Sequence, residues 1–425
     1  MMYAIRAALA AVGLCVFAPA PANTAMPLTL DDAFDRVIAT HPDLDAYRFA
    51  EAARLAEADQ ARQSPPRRVE LDAENLLGSG AIAGVRSAEL TLSLSSVIER
   101  GGKLAARSAV AELRIEGPEL LREARRLDLL AEVARRFLDA AAAESLAALS
   151  REDLVQRERM AAAVADRHRA GIELASVPLA AEAARLRVAA ELERQLRSAA
   201  HSRRRLAVLW GSSAENYSLA TVDLGRLPEL PDYRVLTGLL SQTPALLQFA
   251  HETRVREARL QLARSAAATD IDWQIGLRRY QQGSDWGLVG SVSIPLGNVR
   301  RSLPGVQIIE AELAQIAFER EGYQRALEAT LAEAWGQLDL AIDRAERIEN
   351  DLLPALMRAA DAAERSYRAG ASSHLEWAQL QSDIIQTRRE RLDVSLAAHR
   401  ALIELQRLTG QTLSVPASSD RGATP

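Results

Sequence analysis

Apolar residues recur at two different periods along this chain, and the switches between them mark its elements. From Lys103 to Arg169 the period is helical: Leu113, Leu120 and Leu127 stand seven apart, as do Leu130 and Phe137, with Arg, Glu and Asp between them. At 1.5 Å per residue, some 65 residues make a rod of roughly 100 Å. A compact domain cannot house such a rod, so it must lie along other long helices. A return helix over about 173–210, with Pro178 in or near its first turn, is predicted beside it. Gly117-Pro118 should kink the rod, because proline removes a backbone donor and clashes with the preceding turn. Ahead of the rod the period falls to two. Val69, Leu71 and Ala73 alternate with Arg68, Glu70, Asp72 and Glu74, and Leu90, Leu92 and Leu94 alternate with Glu89, Thr91, Ser93 and Ser95. That pattern predicts a β-hairpin over about 68–98 with one apolar and one polar face. Two short helices, about 30–40 and 43–63, precede it and are parted by His41-Pro42.

The same programme then returns about 200 positions later. Thr243-Pro244-Ala245-Leu246 echoes His41-Pro42-Asp43-Leu44, and Arg169-Ala170-Gly171 returns as Arg368-Ala369-Gly370. Between those landmarks come a second alternating segment, about 271–296, and a second long helix, about 300–369, through Leu331, Trp335, Leu338 and Ile342. A return helix over about 373–409 completes it. Self-similarity at a fixed offset is the mark of a tandem duplication. The chain divides into a first repeat (26–211), a linker (212–232) containing Pro228 and Pro231, a second repeat (233–410) and a tail (411–425).

Composition narrows the class. Of 425 residues only 4% are aromatic, and Ala, Leu, Arg and Glu dominate, as in extended helical assemblies. The net charge of -5 and the interleaving of arginines with acids give no nucleic-acid signal. Residues 1–25 read as a secretory signal peptide: Arg6, an apolar run from Ala7 to Phe17, then small residues at Ala18, Ala20 and Ala22. Cys15, the only cysteine, lies inside that run. The alternative, a lipid-modified Cys15, meets Leu14 where a small residue is wanted. Beyond the signal no apolar run reaches the ~18 residues of a membrane-spanning helix, so entry into a bilayer requires a closed β-barrel. Four strands per chain cannot close one, since the smallest membrane barrels need about eight. Two chains would supply eight strands and three would supply twelve. Glu70, Asp72, Glu74 and Glu89 would then share the face turned to the barrel lumen. Trp273, Tyr280 and Trp286 near the ends of the second hairpin favour the membrane reading, as interfacial aromatics do. The competing reading is a soluble periplasmic coiled-coil scaffold or adaptor with surface hairpins.

With these elements in place, the chain resembles the TolC-like outer-membrane efflux proteins, in particular the CzcC-like branch that serves heavy-metal resistance. The resemblance runs from about Leu28 to Thr409. It rests on the duplicated programme, on Ser-Val-Ile-Glu-Arg-Gly-Gly-Lys at 96–103, and on Tyr367-Arg368-Ala369-Gly370 followed by Leu375-Glu376. It implies a mainly α chain with a small β part: long antiparallel coiled-coil helices, and four strands given to a shared twelve-stranded barrel in a homotrimer. It implies an outer-membrane location with a periplasmic helical tunnel, and as partners a periplasmic adaptor and an inner-membrane pump of the resistance-nodulation-division type. The expected cargo is heavy-metal cations; a drug or small-organic exporter is the alternative.

No catalytic constellation is present, and the six histidines have no metal-ligand spacing, so neither enzyme activity nor a cofactor is expected. The resemblance places Glu376 at the narrow periplasmic entrance, where threefold symmetry makes a ring of three carboxylates that favours cations. His374 is the candidate neighbour in that ring. Arg169, Ala170, Gly171, Arg368, Ala369 and Gly370 would form the tips that meet the adaptor. Departures from the family pattern are Gln379, where aspartate is frequent, His374, and the mid-helix Gly117-Pro118.

Overall fold

A computed structural model describes residues 27–213 and 217–414. The signal peptide, Cys15 and most of the C-terminal tail lie outside the described residues. The first repeat runs α1 (Leu30–Thr40), α2 (Pro42–Ala61), β1 (Arg68–Glu74), β2 (Glu89–Ile98), α3 (Lys103–Arg114), α4 (Gly117–Arg169) and α5 (Ser176–Ala207). The second runs α6 (Tyr233–Leu239), α7 (Pro244–Ser265), β3 (Ile271–Tyr280), β4 (Trp286–Ser293), α8 (Asn298–Arg347), a π-helical turn (Ile348–Leu352), α9 (Leu353–Arg368) and α10 (His374–Thr409). The chain is mainly helical, with one small antiparallel sheet in the order β1-β2-β3-β4.

Proline chemistry sets the breaks. Pro118 has no N–H for the carbonyl one turn back, and α3 ends in a tightened turn in which Ile115 and Glu116 donate to Glu112 and Leu113. In the second long helix the ladder is disturbed by the π-turn just ahead of Pro354. His41-Pro42 and Thr243-Pro244 each start a helix with proline in its first turn, where the missing donor costs nothing.

The body is held by two apolar belts near mid-length. One gathers Phe34 and Val37 of α1, Leu130, Phe137 and Leu138 of α4, Leu206 and Ile403. The other gathers Leu236, Leu240 and Leu246 with Leu327, Leu331 and Leu338 of α8 and Leu405 of α10. Alanines at 131, 134 and 140–143 are buried on α4, and such small side chains let neighbouring helices approach closely. A third, smaller cluster of Met160, Val164, Ala181, Ala363, Tyr367 and Trp377 ties the far ends of α4, α5, α9 and α10. Among the described residues no helix is long and apolar enough to cross a membrane.

The sheet joins the repeats. β2 pairs with β3 over ten positions, from Glu89 opposite Tyr280 to Ile98 opposite Ile271. At Gly276 the strands come so close that a Cβ would fall 2.8 Å from Ser93 Cβ, which excludes any larger residue there without a shift.

Candidate functional site

The register divides the sheet into two unlike faces. One row of partners is Leu71, Leu92, Leu277 and Leu288, and the next is Val69, Leu94 and Ile275. Most of these side chains are exposed: Leu71 is 64% exposed and Leu288 74%, although each would lose free energy-favourable burial by facing water. Trp273 and Trp286 stand on this apolar face six register positions apart, near the two ends of the β3–β4 pairing, with Trp273 opposite Val292 and Trp286 opposite Arg279. From residue 273 to 279 a strand covers about 20 Å, close to the height of the apolar band of an outer-membrane barrel. Tyr280 does not share that face. It stands opposite Glu89, in step with Gln274 and Arg278, so the aromatic signal of the second hairpin comes from its two tryptophans.

The other face carries Glu70, Asp72, Glu74 and Glu89 as expected from alternation, and adds a cation that the sequence reading passed over. Arg278 of β3 reaches across two strands: Nη2 lies 3.1 Å from Glu74, Nη1 donates to Glu89 at 2.9 Å, and Nε donates to Thr91 Oγ1 at 2.9 Å. Arg278 thereby offsets one of the two negative charges of Glu74 and Glu89, and Asn75 adds a second donor to Glu89 at 3.2 Å. Glu70 and Asp72 are the acids of this face that Arg278 does not pair. Gln274 donating to Ser93 Oγ at 2.7 Å completes the polar lattice. The signal for Arg278 is its parity with Gln274 and Tyr280, which becomes readable once β2 and β3 are known to pair.

At the opposite end, the two tips share one backbone. Gly171 and Gly370 take φ of +77° and +76°, the left-handed conformation that ends a helix cheaply only in glycine. Gly171 N–H donates to His168 O and Ile172 N–H to Arg167 O; Gly370 N–H donates to Tyr367 O and Ala371 N–H to Ser366 O. Arg169 and Arg368 are exposed and pair only within their own helices, with Asp166 and Glu364. Ala170 and Ala369 are exposed beside them.

Side chains behind the tips bind the two repeats together. The Arg167 guanidinium lies 4.8 Å from the Tyr367 ring centre, donates to Tyr367 O at 3.1 Å and pairs with Glu173 at 3.2 Å. Tyr367 stacks on Trp377 with centroids 5.5 Å apart, and burial, with Glu173 nearby, pushes its phenol up to about 12. About three turns deeper, Arg157 pairs with Asp153 at 3.2 Å, with both side chains buried, and donates to Ser382 Oγ at 2.8 Å.

The structure separates His374 from Glu376. Two residues apart on one helix, they point to different sides. His374 packs edge-on against Tyr367 (5.9 Å) and near Trp377 (6.3 Å), and burial holds its imidazole below the ordinary value. Glu376 is exposed on the first turn of α10, its N–H capped by Ser373 Oγ at 3.4 Å, where the helix dipole favours a carboxylate. Asp383 lies seven residues further along the same face and accepts from Gln379 at 2.8 Å. That heptad step from Glu376 was readable in the sequence, and it supplies an acid next to Gln379. Among the described residues no group of three or more His, Cys, Asp or Glu is arranged to hold a metal ion.

Residues 33–212 and 235–411 match the outer membrane efflux protein family, one segment in each repeat. The chain is similar to the cobalt-zinc-cadmium resistance protein CzcC of Cupriavidus metallidurans, 24% identical over 391 residues and covering 92% of each protein. It is also similar to outer membrane protein OprJ of Pseudomonas aeruginosa, 26% identical over 300 residues, 68% of this chain and 62% of that protein. Its fold is like that of the crystal structure of CusC, with a TM-score of 0.76 at 18% identity over 90% of this chain and 92% of that one.

Proposed function

This chain belongs to the outer membrane efflux protein family, and on that premise we propose that it is the passive outer-membrane exit duct of a tripartite efflux system. The observation that carries the reading is the two-faced sheet: four strands, apolar on one side and hydrogen-bonded polar on the other, attached to helices several times its length. Four strands leave two open edges, which lipid does not tolerate. Three copies supply twelve strands, with the leucine rows toward lipid and Glu70, Asp72 and Arg278 toward the lumen. The helices then form a periplasmic tunnel whose tips, at Gly171 and Gly370, meet an adaptor and, through it, an inner-membrane pump of the resistance-nodulation-division type. The duct catalyses no step. Glu376, one per chain, forms the carboxylate ring of the entrance, with Asp383 a turn or two inside it; His374 braces the wall behind it.

The cargo is small solutes delivered by the pump, a class broad enough for organic compounds and metal cations alike. The heavy-metal reading has its own support in the similarity to CzcC over nearly the whole chain. Extraction from outer membranes in detergent should yield particles with the mass of three chains. Recovery of a detergent-free soluble monomer would refute the architecture. Deletion strains challenged separately with zinc, cobalt and cadmium salts and with dyes and detergents then decide the cargo: sensitivity confined to the metals supports the CzcC-like branch, and sensitivity confined to organic compounds removes it.

A further inference from the structure

Gly117-Pro118, out of place in a long helix, borders a groove that the duct reading does not use. The break between α3 and α4 leaves a recess of about 400 Å³ between α2, the kink and α7, lined by Tyr47, Arg54, Arg114, His251, Arg256 and Arg259. Glu252 is the only carboxylate among its lining residues. Three of the arginines have acids of their own: Arg54 with Glu57, Arg256 with Glu252 and Arg259 with Glu312. Arg114 makes no hydrogen bond or ion pair to any described residue.

Two residues lining the recess each have a buried nitrogen without a hydrogen-bond partner. His251 is 5% exposed, yet its Nδ1 has no hydrogen-bond partner. Its nearest acid, Glu116, stands 3.7 Å away and is engaged by Arg254 at 3.0 Å. Arg256 Nε is buried and likewise unpartnered. Gly117 makes room for the imidazole, since a Cβ there would lie 3.3 Å from His251 Nε2. A buried nitrogen left without a partner is costly, so a recess lined by two residues that carry one, beside an unpaired guanidinium, suits an acceptor. We propose that it is a binding site for a small oxyanion of the phosphate type, held by Arg114, Arg256 and His251. Guanidinium forks match the oxygen spacing of such anions. The occupant is a dissolved anion rather than a lipid headgroup, because α3 sets the recess about 18 Å along the rod from the sheet. Bound there, it staples α2, α4 and α7 together where the proline break has interrupted the helix.

The test is equilibrium dialysis of radiolabelled inorganic phosphate against the purified full-length protein in detergent, at ionic strength held constant with sodium chloride. Saturable binding of one phosphate per chain is expected. Arg114→Gln should weaken it at least tenfold, while Arg114→Lys, which keeps the charge and loses the fork, should weaken it less. Arg264→Gln, which removes an exposed ion pair outside the recess, should change nothing. Binding that is absent, that tracks ionic strength alone, or that is equal in wild type and Arg114→Gln would overturn the proposal. Absent binding is also the result expected if a carboxylate of a neighbouring copy fills the recess. The readout needs no transport, so its outcome is separate from that of the duct reading.

Discussion

The two tips are the same turn with different chemistry behind it. Gly171 and Gly370 lie 199 residues apart, and with that offset the φ angles and both capping hydrogen bonds coincide. The side chains do not. Arg157, Arg167 and Glu173 of the first repeat correspond to Leu356, Ser366 and Ser372 of the second, while Tyr367, His374 and Trp377 correspond to His168, Ala175 and Pro178. The first repeat thus supplies the charges and the second the aromatic rings, and Arg167 on Tyr367 is where they meet. A turn depends on local backbone chemistry and survives duplication; a contact between the copies can be divided between them, after which neither half is complete alone.

Exchanging residues between the repeats tests this division. The largest effect is expected for Arg157→Leu, which installs the counterpart Leu356. It leaves Asp153 buried without its cation, at a cost of about 3–5 kcal/mol. Adding Asp153→Leu should restore most of the loss, because a buried pair replaced by apolar residues is often neutral. Amide hydrogen exchange across α4 and α10 reads both variants, and wild-type protection in the single variant would show that the pair does not hold the repeats together.

Next come Gly171→Val and Gly370→Val, each forcing a branched side chain into a left-handed φ at about 1–2 kcal/mol or more. Because the two backbones coincide, the two variants should loosen their tips to the same extent, as read by limited proteolysis. Efflux should fail in the double variant while the trimer still assembles. Intact efflux would remove the tips from the docking surface.

Glu376→Gln should leave folding nearly unchanged and act on ions. In planar bilayers the reversal potential under a salt gradient should move toward zero and block by divalent cations should weaken. Unaltered selectivity in an assembled trimer would shift the charge filter to Glu70 and Asp72, the sheet acids that Arg278 leaves unpaired.

The smallest effect is one of pH. Burial holds His374 below its ordinary value of 6.5, so over the range beneath that value the unfolded chain has taken up a proton that the folded chain has not. Its contribution to stability is therefore complete above 6.5 and is lost as pH falls below it. His399, also held down by burial, adds a slope of the same sign. His374→Ala, which installs the counterpart Ala175, should flatten the acid side of the tip's protection profile and leave the part due to His399. An unchanged profile would mean that His374 titrates freely.

Helices, strands and the turn glycines were legible because each is written in neighbouring residues: period two at Val69, Leu71 and Ala73, heptads at Leu113, Leu120 and Leu127, and Gly after Arg-Ala. The acids of the polar sheet face followed from the same alternation. Arg278 escaped because its partners, Glu74 and Glu89, lie about 200 positions away and become its neighbours only through the β2–β3 pairing. Arg167 on Tyr367 escaped for the same reason. The pairing of His374 with Glu376 failed on a local rule, since residues two apart on a helix do not face one way. The π-turn at Ile348–Leu352 has no marker in the sequence except Pro354 just beyond it.

The ten-position pairing of β2 with β3 has a genetic consequence. It fixes both hairpins of a chain into one arc, so in the proposed trimer a chain enters the ring whole or not at all, and its outer strands β1 and β4 must each find a foreign neighbour. A copy damaged only in β4 still offers a sound β1. It would recruit a healthy chain, then leave the circle open, with bare amides facing lipid. Alleles of that kind should be dominant over the wild type when co-expressed, whereas alleles that abolish the whole arc should be recessive.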